Sequence, residues 1–175
     1  LRPQKGFRHW YVIGRGGCNY YQPDMVRDEK IAIDNRYLTD LITDDALDYL
    51  DSRRGTDQPF YLSVHYTAPH SPWDRTNHPA DLYDSYADCP FKSVPELPRH
   101  PWSIQTAPYG EGEQRRALLQ GYFAAVTAMD ANIGRILDRL EEMGLREDTL
   151  VFFMSDNGMN MGHHGIWGKG NGTFP

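Results

Sequence analysis

Two short stretches of the sequence concentrate residue types that do chemistry. The first is "SDNGMNMGHHGIWGKG" at 155–170 and the second is "TAPH" at 67–70. Asp156 and Asn157 set a carboxylate beside an amide carbonyl. Both are hard oxygen donors, suited to Ca2+, with Mg2+ as the other choice, and poorly suited to zinc or copper. "DNG" alone is also a common turn tripeptide, because Asn and Gly tolerate the left-handed backbone of tight turns. Lys169 stands between two glycines, a cation on a backbone that can approach an anion closely, although lone lysines in such loops are usually just solvated. His70 follows Pro69, which stiffens the approach to it; a single loop histidine is more often structural than catalytic. His163 and His164 are adjacent, and neighbouring loop residues rarely reach one ion together. Each signal is ordinary alone, so their weight depends on the elements that position them.

Those elements are legible from apolar patterning. "HWYVIG" (9–14) reads as a strand closed by "GRGG", and "QPDMVRDEK" (22–30) after it reads as loop. "LTDLITDDALDYLDSR" (38–53) carries a helical stripe, with Asp40 or Thr43 as candidate caps and Gly55 beyond its end. The pair Asp44-Asp45 then suits the first turn of a helix, where the dipole favours negative charge, better than a metal site. Residues 59–66, "PFYLSVHY", form a second predicted strand. Residues 113–148 give the strongest helix, with Leu119, Tyr122, Phe123, Val126, Met129, Ile133, Ile136, Leu137 and Leu140 at spacings of three and four. Gly144 is its predicted stop. Asp130, at the rim of that stripe, reads as a structural partner. "TLVFFMS" (149–155) is a third strand, apolar without alternation, as strands covered on both faces are.

Strand, helix and strand over 59–155 resemble a βαβ crossover and predict an α/β fold with a mostly parallel sheet flanked by helices. Ligands of such sheets sit beyond the carboxyl ends of the strands, and both polar clusters follow predicted strands. Between them lies an irregular segment at 67–112, holding eight of the twelve prolines. Loops of this length in compact domains tend to be functional or mobile. Its Trp73, Tyr83, Tyr86 and Trp102 suit either a sugar-binding pocket or the propping of a long loop.

Composition removes several classes. The 175 residues carry a net charge of −6 with scattered basic residues, which gives no footprint for nucleic acid. No stretch approaches the roughly 18 apolar residues of a membrane span. Cys18 and Cys89 are too few for a disulfide framework or a zinc site, and two free thiols are expected. The opening "LRPQKGFRHW" has neither an initiator Met nor the apolar core of a signal peptide. It reads as the interior of a longer or processed chain, so periplasmic, secreted and lysosomal locations all stay open for the parent protein.

Taken together, "PFYLSVHYTAPHSPW", "GYFAAVTAMDANIGRILDRLEEMGL" and "DTLVFFMSDNGMNMGHHGIWGKG" resemble the central part of a sulfatase of the alkaline phosphatase superfamily. "RYLTDLITDDALDYLDSR" fits the helix that precedes the "APH" strand in that family. The resemblance spans nearly all of residues 1–175, implying one fragment of a sulfatase catalytic domain with a Pro-rich insertion at about 67–112. It implies that Asp156 and Asn157 are metal ligands, normally for calcium. Lys169 matches a lysine that binds a sulfate oxygen, His70 a histidine contacting the sulfate, and His164 the second position of a frequent "G-D/E/H-H-G" turn, a candidate substrate contact. His70 and Lys169 are thereby the candidate catalytic residues. The implied substrate is a sulfated small molecule or sulfated glycan, and the implied partner is the remainder of the sulfatase domain. A metal, Lys⁺ and imidazole would together stabilise charge on sulfuryl oxygens.

One departure limits what these residues do alone. Sulfatases attack with formylglycine, made from the Cys or Ser of a C/S-x-P-x-R motif. Cys18 precedes Asn-Tyr-Tyr, Cys89 has Pro one position early, and Ser93 reaches Pro95 but meets Leu97 where Arg belongs. The sequence thus encodes half of the site, and the 175-residue chain by itself is expected to be inactive. Two other readings stay open. A phosphodiesterase or phosphohydrolase of the same superfamily would hold two zincs and typically a His where Asn157 stands, and a noncatalytic α/β module would use the polar loop only as a turn.

Overall fold

The computed structural model describes residues 3–27 and 29–170, so Asp28, within the expected loop 22–30, lies outside the described residues. The chain separates into two compact units, residues 1–70 with 125–150 and residues 71–124 with 151–175.

In the first unit, β1 (Tyr11–Ile13), β2 (Asp24–Arg27) and β3 (Lys30–Ile33) form an antiparallel meander. Its register sets Val12 against Val26 and Met25 against Ala32. The strand expected at 9–14 is present, but the segment read as loop after it is two further strands. The cause is the "MV" pair: Met25 and Val26 are almost fully buried, and that burial outweighs the charges around them. Helix α1 (Leu38–Asp51) starts at Tyr37 with no side-chain cap. Neither Asp40 nor Thr43 caps it, because both lie inside. Thr43 instead bonds the Thr39 carbonyl at 3.0 Å and the Tyr66 hydroxyl at 2.7 Å. Leu38, Leu41, Leu47 and Leu50 are buried against this unit's core.

The same early start moves Asp44 and Asp45 beyond the first turn, so the helix dipole does not account for them. Ion pairs do. Asp45, nearly buried, takes His9 Nε2 at 2.6 Å and the Arg27 guanidinium. Asp44 takes Arg36 at 3.0 Å and Arg135 at 2.6 Å. Helix α3 (Gly112–Glu142) gives its residues 125–142 to this unit. Asn132 donates to Asp40 at 2.8 Å, Arg135 meets Asp44, and Arg139 meets Asp51, in the same order along both helices. The helix stops as expected. Leu145 N–H returns to the Leu140 carbonyl and Gly144 N–H to Glu141, both at 2.9 Å, a Schellman closure.

In the second unit, residues 112–124 of α3 gather the Pro-rich segment. Trp73, Phe91, Val94, Leu119, Met161 and Trp167 make the core. Rings of Trp73 and Tyr122 meet edge-on at 5.7 Å, and those of Phe91 and Phe123 pack at 5.3 Å. The segment's one α-helix is short, α2 (Ala80–Asp84), and its Tyr83 hydroxyl donates to the Ala117 carbonyl at 2.8 Å. Trp73, Tyr83 and Tyr86 therefore prop the segment, whereas Trp102 is 84% exposed. A last antiparallel pair, β4 (Asn160–Met161) with β5 (Trp167–Gly168), closes the polar loop. Both cysteines are free thiols, as expected.

The expected mostly parallel sheet is not seen among the described residues. Every ladder there is antiparallel, since short turns can join only antiparallel neighbours. Residues 59–66 and 149–155 enter no ladder among the described residues. They keep strand-like signatures nonetheless. Phe60, Leu62, Val64 and Tyr66 are half-buried while Tyr61, Ser63 and His65 are exposed, the period-2 alternation of an extended strand. Leu150, Phe152, Phe153 and Met154 are each at least 76% exposed. Four large apolar side chains within five residues are thus left in contact with water, more than scattered surface apolar residues account for.

Two predictions follow from the packing of the second unit. A Cβ at Gly121 would lie 1.8 Å from the Trp73 carbonyl oxygen. Helix propensity alone would favour Gly121→Ala by about 1 kcal/mol, but this clash is with backbone and outweighs it. The variant is expected to lose about 1–3 kcal/mol in urea unfolding; a gain in stability would contradict the packing. His78 is buried, which lowers its pKa below the ordinary 6.5 despite the opposing hydrogen bond to the Pro72 carbonyl at 3.0 Å. The unfolded chain then binds a proton that the folded one refuses, so stability present above pH 6.5 falls as pH drops through that value. The urea midpoint is expected to fall between pH 7.5 and about pH 5.5, and to fall less in His78→Gln.

Candidate functional site

Asp156 and Asn157 stand at the end of the extended apolar run. The turn is closed locally: Ser155 Oγ donates to the Asn157 carbonyl at 2.6 Å, and the Asn157 amide donates to the Gly158 carbonyl at 2.9 Å. Both side chains are exposed. With its N–H end engaged, Asn157 keeps its amide oxygen as the acceptor beside the Asp156 carboxylate. These are hard donors of the kind calcium takes, but two of the about six to eight oxygens it needs. No group of three His, Cys, Asp or Glu that could hold a metal occurs among the described residues. A cation bound at this turn would draw its remaining ligands from other groups.

Lys169 is half-buried just after β5, and its backbone is clamped from both sides by one hydroxyl. Lys169 N–H donates to Thr106 Oγ1 at 2.7 Å, and Thr106 Oγ1 donates to the Lys169 carbonyl at 2.6 Å. The clamp needs glycine beside it. Gly168 sits at φ +105°, and a Cβ there would come within 2.5 Å of the same Thr106 oxygen. His163 and His164 are exposed in a single 3-10 turn, His163–Gly165. His164 has φ +56°, a left-handed backbone that a non-glycine residue adopts at a cost and that recurs at functional sites.

His70 belongs to the first unit, whereas Asp156, Asn157, His164 and Lys169 share the second. Its backbone is fixed at both ends. His70 N–H donates to the Thr67 carbonyl at 2.9 Å, and the His70 carbonyl accepts from Tyr20 Oη at 2.8 Å. Tyr20 is fully buried, which pushes its phenol pKa up and keeps it a donor. Thr106 and Tyr20 thus hold two candidate residues by their backbones, and sequence reasoning missed both. Nothing flagged Thr106, a lone hydroxyl 63 residues from its partner. Tyr20 carried at most the weak signal of an aromatic pair next to a glycine-rich turn.

The chain belongs to the sulfatase family, whose model matches residues 2–174. It is 26% identical to the N-acetylglucosamine-6-O-sulfatase of Bacteroides thetaiotaomicron, over 94% of this chain and 41% of that protein. It is 32% identical to the human iduronate 2-sulfatase, over 73% of this chain and 26% of that protein. Among solved structures, BT4656 in complex with its substrate D-glucosamine-2-N,6-O-disulfate superposes with a TM-score of 0.67 at 25% identity, over 97% of this chain and 47% of that one. The chain therefore spans between 26% and 41% of the length of these two curated relatives. Members of this α/β family hydrolyse sulfate esters, and no described helix is long and apolar enough to cross a membrane.

The clamp on Lys169 yields a measurable expectation. Thr106→Val keeps the shape and removes both hydrogen bonds. A hydrogen bond of this kind, at an exposed position, is worth about 0.5–1.5 kcal/mol. The Lys169 amide is expected to exchange hydrogen roughly 2- to 13-fold faster in the variant. An unchanged exchange rate would mean the hydroxyl does not hold the loop.

Proposed function

We propose that this chain is part of a sulfuric ester hydrolase, in which it contributes one side of a metal-assisted sulfate-ester site. The observation that carries the reading is the sulfatase match over residues 2–174 together with a lysine held by its backbone in the matched polar loop. In this reading Asp156 and Asn157 supply oxygens to a calcium ion, with magnesium as the alternative, and the cation would offset negative charge on the sulfuryl oxygens. Lys169 binds one of those oxygens. Because Thr106 fixes its backbone, the ammonium group spends less entropy on reaching its target than a free loop lysine would. His70 contacts the sulfate and His164 the substrate. A held lysine and a histidine are preorganised charge, the form of stabilisation that needs no rearrangement as the ester bond breaks.

Two further proposals concern what lies beyond these residues. The nucleophile, a formylglycine in the resemblance, is supplied by polypeptide outside the 175 residues. So are the neighbours of segments 59–66 and 149–155, which pair there as strands of a parallel sheet. The exposed run Leu150–Met154 supports this, because an apolar strand in water is stabilised by covering both its faces. The substrate is a sulfated small molecule or glycan. In support, a relative is named for N-acetylglucosamine 6-O-sulfate chemistry and a solved neighbour holds a glucosamine disulfate.

In the full-length enzyme, Lys169→Ala and Asp156→Ala are each expected to lower kcat/KM for a sulfate ester by about a hundredfold or more. The purified 175-residue chain is expected to show no turnover. Full activity in both variants would sink the site assignment, and turnover by the isolated chain would sink the missing-nucleophile account.

A further inference from the structure

One edge of the antiparallel meander in the first unit is bare. The sheet runs β1-β2-β3, so β3 has no ladder partner on its outer side among the described residues. Every residue of β3 is exposed, while Met25 and Val26 opposite it on β2 are buried. An open row of backbone groups is a template for pairing with another chain.

The register decides which backbone groups face outward. Gly14 N–H donates to the Asp24 carbonyl at 2.7 Å, so Asp24 turns its backbone groups toward β1 and away from β3. Ile33 lies opposite Asp24. That pair exchanges no hydrogen bonds, and the N–H and C=O of Ile33 therefore point off the sheet. Bonded and non-bonded pairs alternate along an antiparallel ladder, which gives Ile31 the same outward aim and leaves Lys30 and Ala32 bonded to β2. The side chains of Ile31 and Ile33 share one face, at 56% and 67% exposure. The same two residues thus offer open backbone groups and apolar surface.

The sequence of this edge is complementary to itself. Residues 30–34 read Lys-Ile-Ala-Ile-Asp. When a second copy runs the other way about Ala32, Lys30 meets the partner's Asp34, Ile31 meets the partner's Ile33, and Ala32 meets the partner's Ala32. The hydrogen-bonded pairs of that register are Ile31 with the partner's Ile33, whose backbone groups already point outward. A slip of one residue would set outward-facing Ile31 against the partner's Ala32, which faces inward, and a slip of two would lose both Lys–Asp pairs. Lys30 is the kind of charge that guards an edge, but Asp34 at the far end of the same strand answers it. Arg36 grips the Asp34 carboxylate at 2.9 Å and so fixes where the partner's Lys30 arrives. Only a two-fold contact uses one stretch for both sides of such a match.

We infer that β3 is a self-pairing edge, through which two copies of the protein join their three-stranded sheets into one continuous sheet. The pairing involves about five residues a side, against the roughly 20–30 of stable interfaces, so the dimer is weak and concentration-dependent.

The test is sedimentation velocity of the full-length protein between about 10 μM and 1 mM, a span that covers weak contacts. A monomer–dimer equilibrium is expected. Ile33→Pro removes an outward N–H and spares the bonds to β2, so the variant is expected to stay folded and to remain monomeric. Lys30→Asp sets like charges face to face and is expected to raise the dimer Kd at least about fivefold, whereas Lys30→Asp combined with Asp34→Lys returns it to within about twofold of the starting value. Ala32→Cys puts a thiol beside the two-fold axis, where Cα atoms of a non-hydrogen-bonded pair stand about 4.5 Å apart, within disulfide reach. Ile33→Cys puts its thiols on diagonal positions, about 7–8 Å apart. Glutathione disulfide is expected to cross-link the first variant into dimers and the second no more than the unmodified protein. Several results would overturn the inference: a protein that stays monomeric at the highest concentration because its own further polypeptide covers β3, a dimer that survives Ile33→Pro, a charge swap that fails to restore pairing, or equal cross-linking at both thiol positions.

Discussion

The polar loop depends on how a Pro-rich segment that joins no ladder among the described residues is held. Eight prolines within 67–112 remove eight backbone donors and forbid regular ladders, yet the carbonyls of that segment still need partners. The first turns of α3 supply them. Arg115 donates to Val94 and Pro95, and Arg116 donates to Ala87 and Cys89. Gly121, one and a half turns further on, opens the helix surface so that the Trp73 carbonyl lies against it. The helix thus does for the Pro-rich segment what a neighbouring strand would otherwise do.

From that support the polar loop inherits its shape. Trp73 packs on Trp167, Thr106 clamps Lys169, and the Pro95 and Pro98 carbonyls approach Gly162 and Gly165 so closely that no side chain fits there. The glycines of "MGHHGIWGKG" are contact points with the Pro-rich segment. A loop that looks flexible in sequence is therefore fixed from outside, and His164 and Lys169 sit in a stretch held by contacts with the Pro-rich segment.

The two helices and the first strand were legible because their signals are local: stripe spacing for α1 and α3, a β-branched aromatic run for β1, and Gly144 for the Schellman stop. Asp44 and Asp45 were misread because an uncapped helix start at Tyr37 leaves no mark in sequence, and because Arg27, His9 and Arg135 come from distant positions. The loop read over 22–30 became β2 and β3 because Met25 and Val26 are buried by tertiary partners. For 59–66 and 149–155 the sequence read strand character that the described residues leave unpaired, since pairing is a property of neighbours.

By itself the sequence determined the family and the order of the candidate residues: oxygen donors at 156 and 157, a lysine at 169 and a histidine at 70. These follow from the order of side chains along the chain, which any contiguous stretch records. Only the tertiary structure decided that Thr106 grips Lys169 and that Tyr20 pins the His70 backbone. Each of these joins residues many positions apart by hydrogen bonds, and such pairings are set by packing, which residue spacing does not encode.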